Sequence, residues 1–176
     1  MTPTCSCRRR LLGLASVSLL LGACGQPAGS SALAPVEIGP GTTCELDGML
    51  LADYGGPKAQ IHYAGVAAPV FLCDTVEMFN MLLRPEQVRK VVAVFVQDMG
   101  RADWDKPVGH WVDATGAWYV RGSKRLGSMG PTFASFALEA DARQFASAHG
   151  GTVIRYVDVK VEMVDLSGGA HFEARM

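Results

Sequence analysis

The chain has 176 residues, 49% of them hydrophobic, with 16 basic residues against 17 acidic ones and a net charge of −1. That length suits one domain or two small ones. A near-neutral chain with no basic cluster beyond its first residues is a poor partner for nucleic acid.

The N-terminus reads as a secretory signal over residues 1–23. Arg8, Arg9 and Arg10 form a charged region, Leu11 to Leu21 an apolar one, and Gly22 and Ala23 supply the small residues before a cut. The apolar run is short for a membrane span, which needs about 20 residues. Leu21-Gly22-Ala23-Cys24 resembles a bacterial lipobox, which would make Cys24 the acylated first residue of the mature chain. Gly25, rather than Asp, follows it, and by resemblance to sorting signals this favours the outer membrane over the inner one. Residues 24–40 are rich in Gly, Ser, Ala and Pro and read as a flexible tether.

Two segments then follow with the same order of patterns, so the expected fold is α+β, with two tandem ββαβ units at 41–100 and 101–160, each a small sheet covered by one helix. In the first, Ala59 to Tyr63 and Pro69 to Leu72 read as strands, Asp74 to Leu83 as a helix, and Val91 to Gln97 as a buried strand. Asp74 and Glu77 have the spacing of a capping box, and Arg84-Pro85 stops the helix. In the second, Ala117 to Val120 and Thr132 to Phe136 read as strands. A helix follows from Leu138 to His149 with Ala142, Phe145 and Ala146 on one face, then Gly150-Gly151 and a strand from Thr152 to Val157. A single mixed sheet with two helices fits the same elements. Residues 161–176 read as an irregular tail. Trp104, Trp111 and Trp118 are placed to stabilise the junction between halves through buried area.

No hydrolytic or phosphate-binding motif stands out, and the four histidines are scattered. What the chain offers is soft sulfur. Cys44 and Met49 sit in one short segment with Gly48 available for a tight turn, and Met129 lies between glycines on a loop with no element to pack against. A thiolate with two thioethers prefers Cu(I) to harder ions, and with one thiolate the loaded site is formally neutral. His62 and Met99 are candidate additional ligands. Packing accounts for scattered Cys and Met residues as well, and Met78, Met81 and Cys73 in particular read as core or core-edge residues. Cys44 and Cys73 match no zinc or redox spacing, and in an oxidising compartment they are also the default disulfide pair.

Several of these motifs together resemble the NosL family of nitrous oxide reductase accessory lipoproteins. The resemblance runs through Cys44-Glu45-Leu46-Asp47-Gly48-Met49, Gly56-Pro57-Lys58-Ala59-Gln60-Ile61, Asp98-Met99-Gly100, Trp111-Val112-Asp113-Ala114, Gly127-Ser128-Met129-Gly130 and Asp165-Leu166-Ser167-Gly168-Gly169. It implies a periplasm-facing, non-enzymatic chaperone. Such a protein binds one Cu(I) through Cys44, Met49 and Met129 and passes it, with the periplasmic component of a membrane ABC-type complex, toward the copper centres of nitrous oxide reductase. Many relatives carry a second Cys where this chain has Asp47, which leaves three sulfurs. The rival readings are a thiol-dependent enzyme using Cys44 or Cys73, and a structural lipoprotein that docks a membrane partner.

Overall fold

The computed structural model describes residues 33–164 and 166. The signal segment, Cys24, the first part of the tether and most of the 161–176 tail lie outside the described residues. The described chain is α+β, with two antiparallel sheets and two helices. The first sheet has four strands and the second three. Both halves run strand, strand, helix, strand in sequence order.

In the first half, β1 (Ala59–Tyr63) is central, between β2 (Val70–Leu72) and β3 (Val91–Gln97), and all five of its residues are buried. Ala59, Ile61 and Tyr63 alternate onto the main core, as a period of two requires. Helix α1 (Thr75–Leu83) covers that core with Val76, Met78 and Phe79. The sheet of this half continues beyond residue 100, because β4 (Trp111–Asp113) pairs antiparallel with β3 through Phe95↔Asp113 and Gln97↔Trp111. In the second half, β5 (Trp118–Arg121) lies between β6 (Phe133–Phe136) and β7 (Thr152–Arg155), under α2 (Glu139–His149). Ala142 of α2 is buried, and Phe145 and Ala146 pack beside it against Phe136 and Val120. Strand β7 stops two residues before the expected Val157. The Asp158 carboxylate accepts the Arg155 N–H at 3.1 Å and draws Tyr156–Asp158 into a 3-10 turn.

The two halves share a core. Phe79 of α1 meets Tyr119 at 5.1 Å, Phe133 at 5.1 Å and Tyr156 at 5.4 Å between ring centroids, all three from the second half. The Thr75 hydroxyl donates to the Phe133 carbonyl at 2.7 Å, pinning the first turn of α1 to β6. Trp104 makes the junction elsewhere. Its ring stacks on Phe145, its Nε1–H donates to the Leu126 carbonyl at 3.1 Å, and its own carbonyl accepts the Gly56 N–H at 2.7 Å.

The described end of the tether is fastened rather than loose. Val36 exchanges two hydrogen bonds with the Gln60 amide, at 2.8 and 3.0 Å, and Ile38 packs on the core. At the other end, Val161–Met163 form a 3-10 turn against α1, so the described start of the tail is ordered by packing. Among the described residues no helix is long and apolar enough to cross a membrane.

Candidate metal centre

Three segments meet at the strand-to-helix corner between β2 and α1. The first is the turn Cys44–Met49, closed by the Cys44 N–H donating to the Met49 carbonyl at 2.8 Å and the Gly48 N–H to the Cys44 carbonyl at 3.0 Å. Gly48 adopts φ 77°, a left-handed conformation that a side chain would strain, and the Asp47 carboxylate accepts the Met49 N–H at 2.9 Å. The second is the corner itself, Phe71 to Asp74, tied to the first because the Glu45 N–H donates to the Phe71 carbonyl at 2.9 Å. The third is the loop Gly127–Gly130, closed on itself by two backbone bonds and attached to the corner at two points. The Ser128 hydroxyl donates to the Cys73 carbonyl, and the Met129 N–H donates to the Asp74 carboxylate at 3.4 Å. A Cβ on Gly127 would overlap the Asp74 carboxylate, and one on Gly56 would lie 2.6 Å from Gly127 Cα. The loop reaches the corner only because both positions lack side chains.

Asp74 is the organising residue. It is the N-cap of α1, accepting from the Val76 N–H at 3.0 Å, and it accepts the Thr132 hydroxyl at 2.6 Å. The expected capping box is not formed. Glu77 reaches past Asp74, and its Oε2 accepts the Cys73 N–H at 3.1 Å. That same oxygen accepts both thiols, Cys44 Sγ and Cys73 Sγ each at 3.2 Å. The Sγ atoms of Cys44 and Cys73 and carboxylate oxygens of Asp47 and Glu77 all lie within 4.8 Å of one another. Cys44 and Cys73 are both buried free thiols. Below them Lys58, with no exposed surface, directs its ammonium to the carbonyls of Gly55 at 2.9 Å and Cys73 at 3.0 Å.

The electrostatics follow from burial. Desolvation pushes the Asp74 and Glu77 carboxyls up from their ordinary range, opposed by the hydrogen bonds each accepts. The Cys73 thiol is pushed far up, first by its hydrogen bond with Cys44, then by burial and by the negative charge of Glu77. Burial draws the Lys58 ammonium down, against the opposing field of Asp74, Cys73, Glu77 and Cys44. Cys73 is therefore held as a thiol whose proton can be exchanged against a cation, rather than as a standing nucleophile.

Cys44, Met49 and Met129 thus all belong to the segments that converge on the corner, and both methionines are half-buried against the core that contains Cys44. His62 and Met99 do not join them. His62 is buried on β1 with its Nε2 3.0 Å from Gln60 Oε1 and its ring edge-on to Phe95, and burial lowers its pKa. Met99 belongs to the second core, with Trp104, Val120 and Phe136. Met78 and Met81 pack in or against the main core, as their helical positions imply. Cys73 departs from the sequence reading of a small apolar side chain, because its sulfur faces Cys44, Asp47 and Glu77. Glu77 had only a capping role in that reading. The available signal was Cys73 and Glu77 four residues apart at a helix N-terminus, which places both on one side of the first turn.

Comparison with known proteins identifies the family of the chain. A family model described as NosL matches residues 35–164. The copper-binding lipoprotein NosL of Stutzerimonas stutzeri is 38% identical over 149 residues, covering 81% of this chain and 77% of that protein. The protein of the same name from Achromobacter cycloclastes is 35% identical over 161 residues, covering 89% and 83%. The crystal structure of the copper chaperone NosL from Shewanella denitrificans superposes with a TM-score of 0.69 at 34% identity, covering 74% of this chain and 98% of that one. With a family match over most of its length and relatives this similar across most of theirs, the chain belongs to the NosL family.

Proposed function

We propose that this protein is a lipid-anchored, periplasm-facing chaperone for Cu(I), held through Cys24 to the outer membrane and engaged in assembling the copper centres of nitrous oxide reductase. Cu(I) is its cargo, and Cys44, Met49 and Met129 are its sulfur ligands. The observation that carries the reading is the convergence of the Cys44–Met49 turn and the Gly127–Gly130 loop on the Cys73-Asp74 corner, joined by named hydrogen bonds. The copper-binding and chaperone names of its relatives supply the metal. Thiolate and thioether donors select a soft monovalent ion, and thioethers carry no proton, so Met49 and Met129 bind alike across the pH range. Half-buried methionines at the edge of the site suit stepwise transfer, in which an acceptor's donor replaces one ligand at a time. The acceptors are the periplasmic component of an ABC-type maturation complex and, through it or directly, the reductase. At Cys73 the thiol-enzyme alternative is disfavoured, because a thiol held protonated beside a buried carboxyl is the opposite of an activated nucleophile.

Competition with a chromogenic Cu(I) chelator under argon tests the reading. Met129→Leu keeps volume and apolar character, so it should lower Cu(I) affinity about tenfold, equivalent to about 1.4 kcal/mol, while leaving the unfolding midpoint unchanged. Affinity equal to that of the unaltered chain would remove Met129 from the ligand set.

A further inference from the structure

We infer that Cys73 supplies a second thiolate to the copper, so that Cu(I) is held between Cys44 Sγ and Cys73 Sγ with the methionine sulfurs as exchangeable neighbours. This rests on the copper reading above and goes beyond it, since that reading has a single thiolate. Two observations carry it. The first is distance. Thiolate bonds to a closed-shell ion of the first transition row are about 2.3 Å long, so two in line span about 4.6 Å, and the two sulfurs lie within 4.8 Å of each other as free thiols. Their segments are already fixed to one another by the Glu45 N–H to the Phe71 carbonyl at 2.9 Å, so the two sulfurs are held close before any metal arrives.

The second is charge. Cu(I) with two thiolates carries one net negative charge, which a buried pocket tolerates only against a cation. Lys58 provides one. Its ammonium is fully buried and 3.0 Å from the Cys73 carbonyl. Among the described residues it forms no ion pair with any carboxylate. A buried ammonium hydrogen-bonded only to carbonyls is costly by itself, and an anionic copper–dithiolate would add to the field of Asp74 and Glu77 that already favours its charge. Loading is a ligand substitution: two S–H bonds break, two Cu–S bonds form, two protons leave, and no electron changes hands.

The test uses the full chain purified in detergent, with Cu(I) as the probe. Cys73→Ser should lower affinity by more than the roughly 10–100-fold expected for loss of a residue that only orients a ligand, with an unchanged circular dichroism spectrum. If Cys73→Ser binds like the unaltered chain while Cys44→Ser does not, the second thiolate is wrong and the one-thiolate chaperone stands. If neither substitution changes the affinity, the copper reading of this corner falls as well. Because Cys73 is buried and its variant could fold poorly, X-ray absorption on the unaltered, singly loaded chain gives an independent readout. Two short sulfur distances support the inference, and one overturns it. Absence of free thiol in the chain purified without reductant, with copper uptake unaffected by reduction, would also overturn it.

Discussion

The two halves turn the same local corner and make different things of it. In each, an antiparallel strand ends, two residues turn, and a helix begins: Leu72, Cys73-Asp74 and α1 in one, Phe136, Ala137-Leu138 and α2 in the other. In each, the first turning residue gives its N–H to a carboxylate. Cys73 donates to Glu77 of its own helix at 3.1 Å, whereas Ala137 donates to Asp98 at the end of the opposite sheet at 3.0 Å. The second corner is a tie between sheets and nothing more. In the first, a sulfur stands where the second has a methyl group, and the capping side chain is a carboxylate where the second has Leu138, which caps nothing. A repeated scaffold supplies position, and a few side chains decide whether the position is structural or chemical.

The largest effect that would break this comparison concerns the helices. Phe79 of α1, in the first half, is enclosed by three rings of the second, so Phe79→Ala should cost about 3–5 kcal/mol in denaturant unfolding. Phe145 of α2 is half-buried in one half only, and Phe145→Ala should cost about 1.5 kcal/mol. Equal losses would mean that α1 does not unite the two sheets. Next, Asp74→Ala should cost about 2 kcal/mol, the upper end for a lost N-cap, because the Thr132 hydroxyl and the Met129 N–H lose their acceptor as well. It should also weaken Cu(I) binding by freeing the Met129 loop, and retained affinity would show that the loop is held by other means. The smallest effect runs in the opposite direction. Leu138 is exposed, extended and without a cap bond, so Leu138→Asp should raise stability by about 1 kcal/mol. No gain would show that the uncapped start of α2 already has its N–H groups satisfied.

Much of the fold was legible because it depends on short-range pattern. Strands β1 and β3 fall where alternation and the β-branched run Val91 to Gln97 place them, and α2 ends at Gly150, whose N–H donates to the Ala146 carbonyl at 2.8 Å. Strand β4 escaped because three residues, Trp111–Asp113, carry no measurable period, and only pairing with β3 makes them a strand. The site was half legible. Cys44, Met49 and Met129 were visible as soft donors on turns and loops. Cys73 follows directly on the apolar Val70–Leu72 run and looks like one more core residue. Its turn toward Cys44 depends on the Glu45 to Phe71 hydrogen bond, a long-range contact with no local signature. His62 and Met99 could not be placed from pattern either, since their surroundings are decided by which sheet face each half buries.

The rings gathered around Phe79 have a thermal consequence. Because the helix that carries the sulfur corner is completed by residues from the far end of the chain, the corner cannot melt ahead of the rest, and heating should give one cooperative transition. A ligand that favours the native corner then protects every strand at once, raising the melting temperature of the whole molecule as RT ln(1 + [L]/Kd) prescribes. Metal occupancy at one small turn would thereby be readable from any reporter of unfolding, however distant.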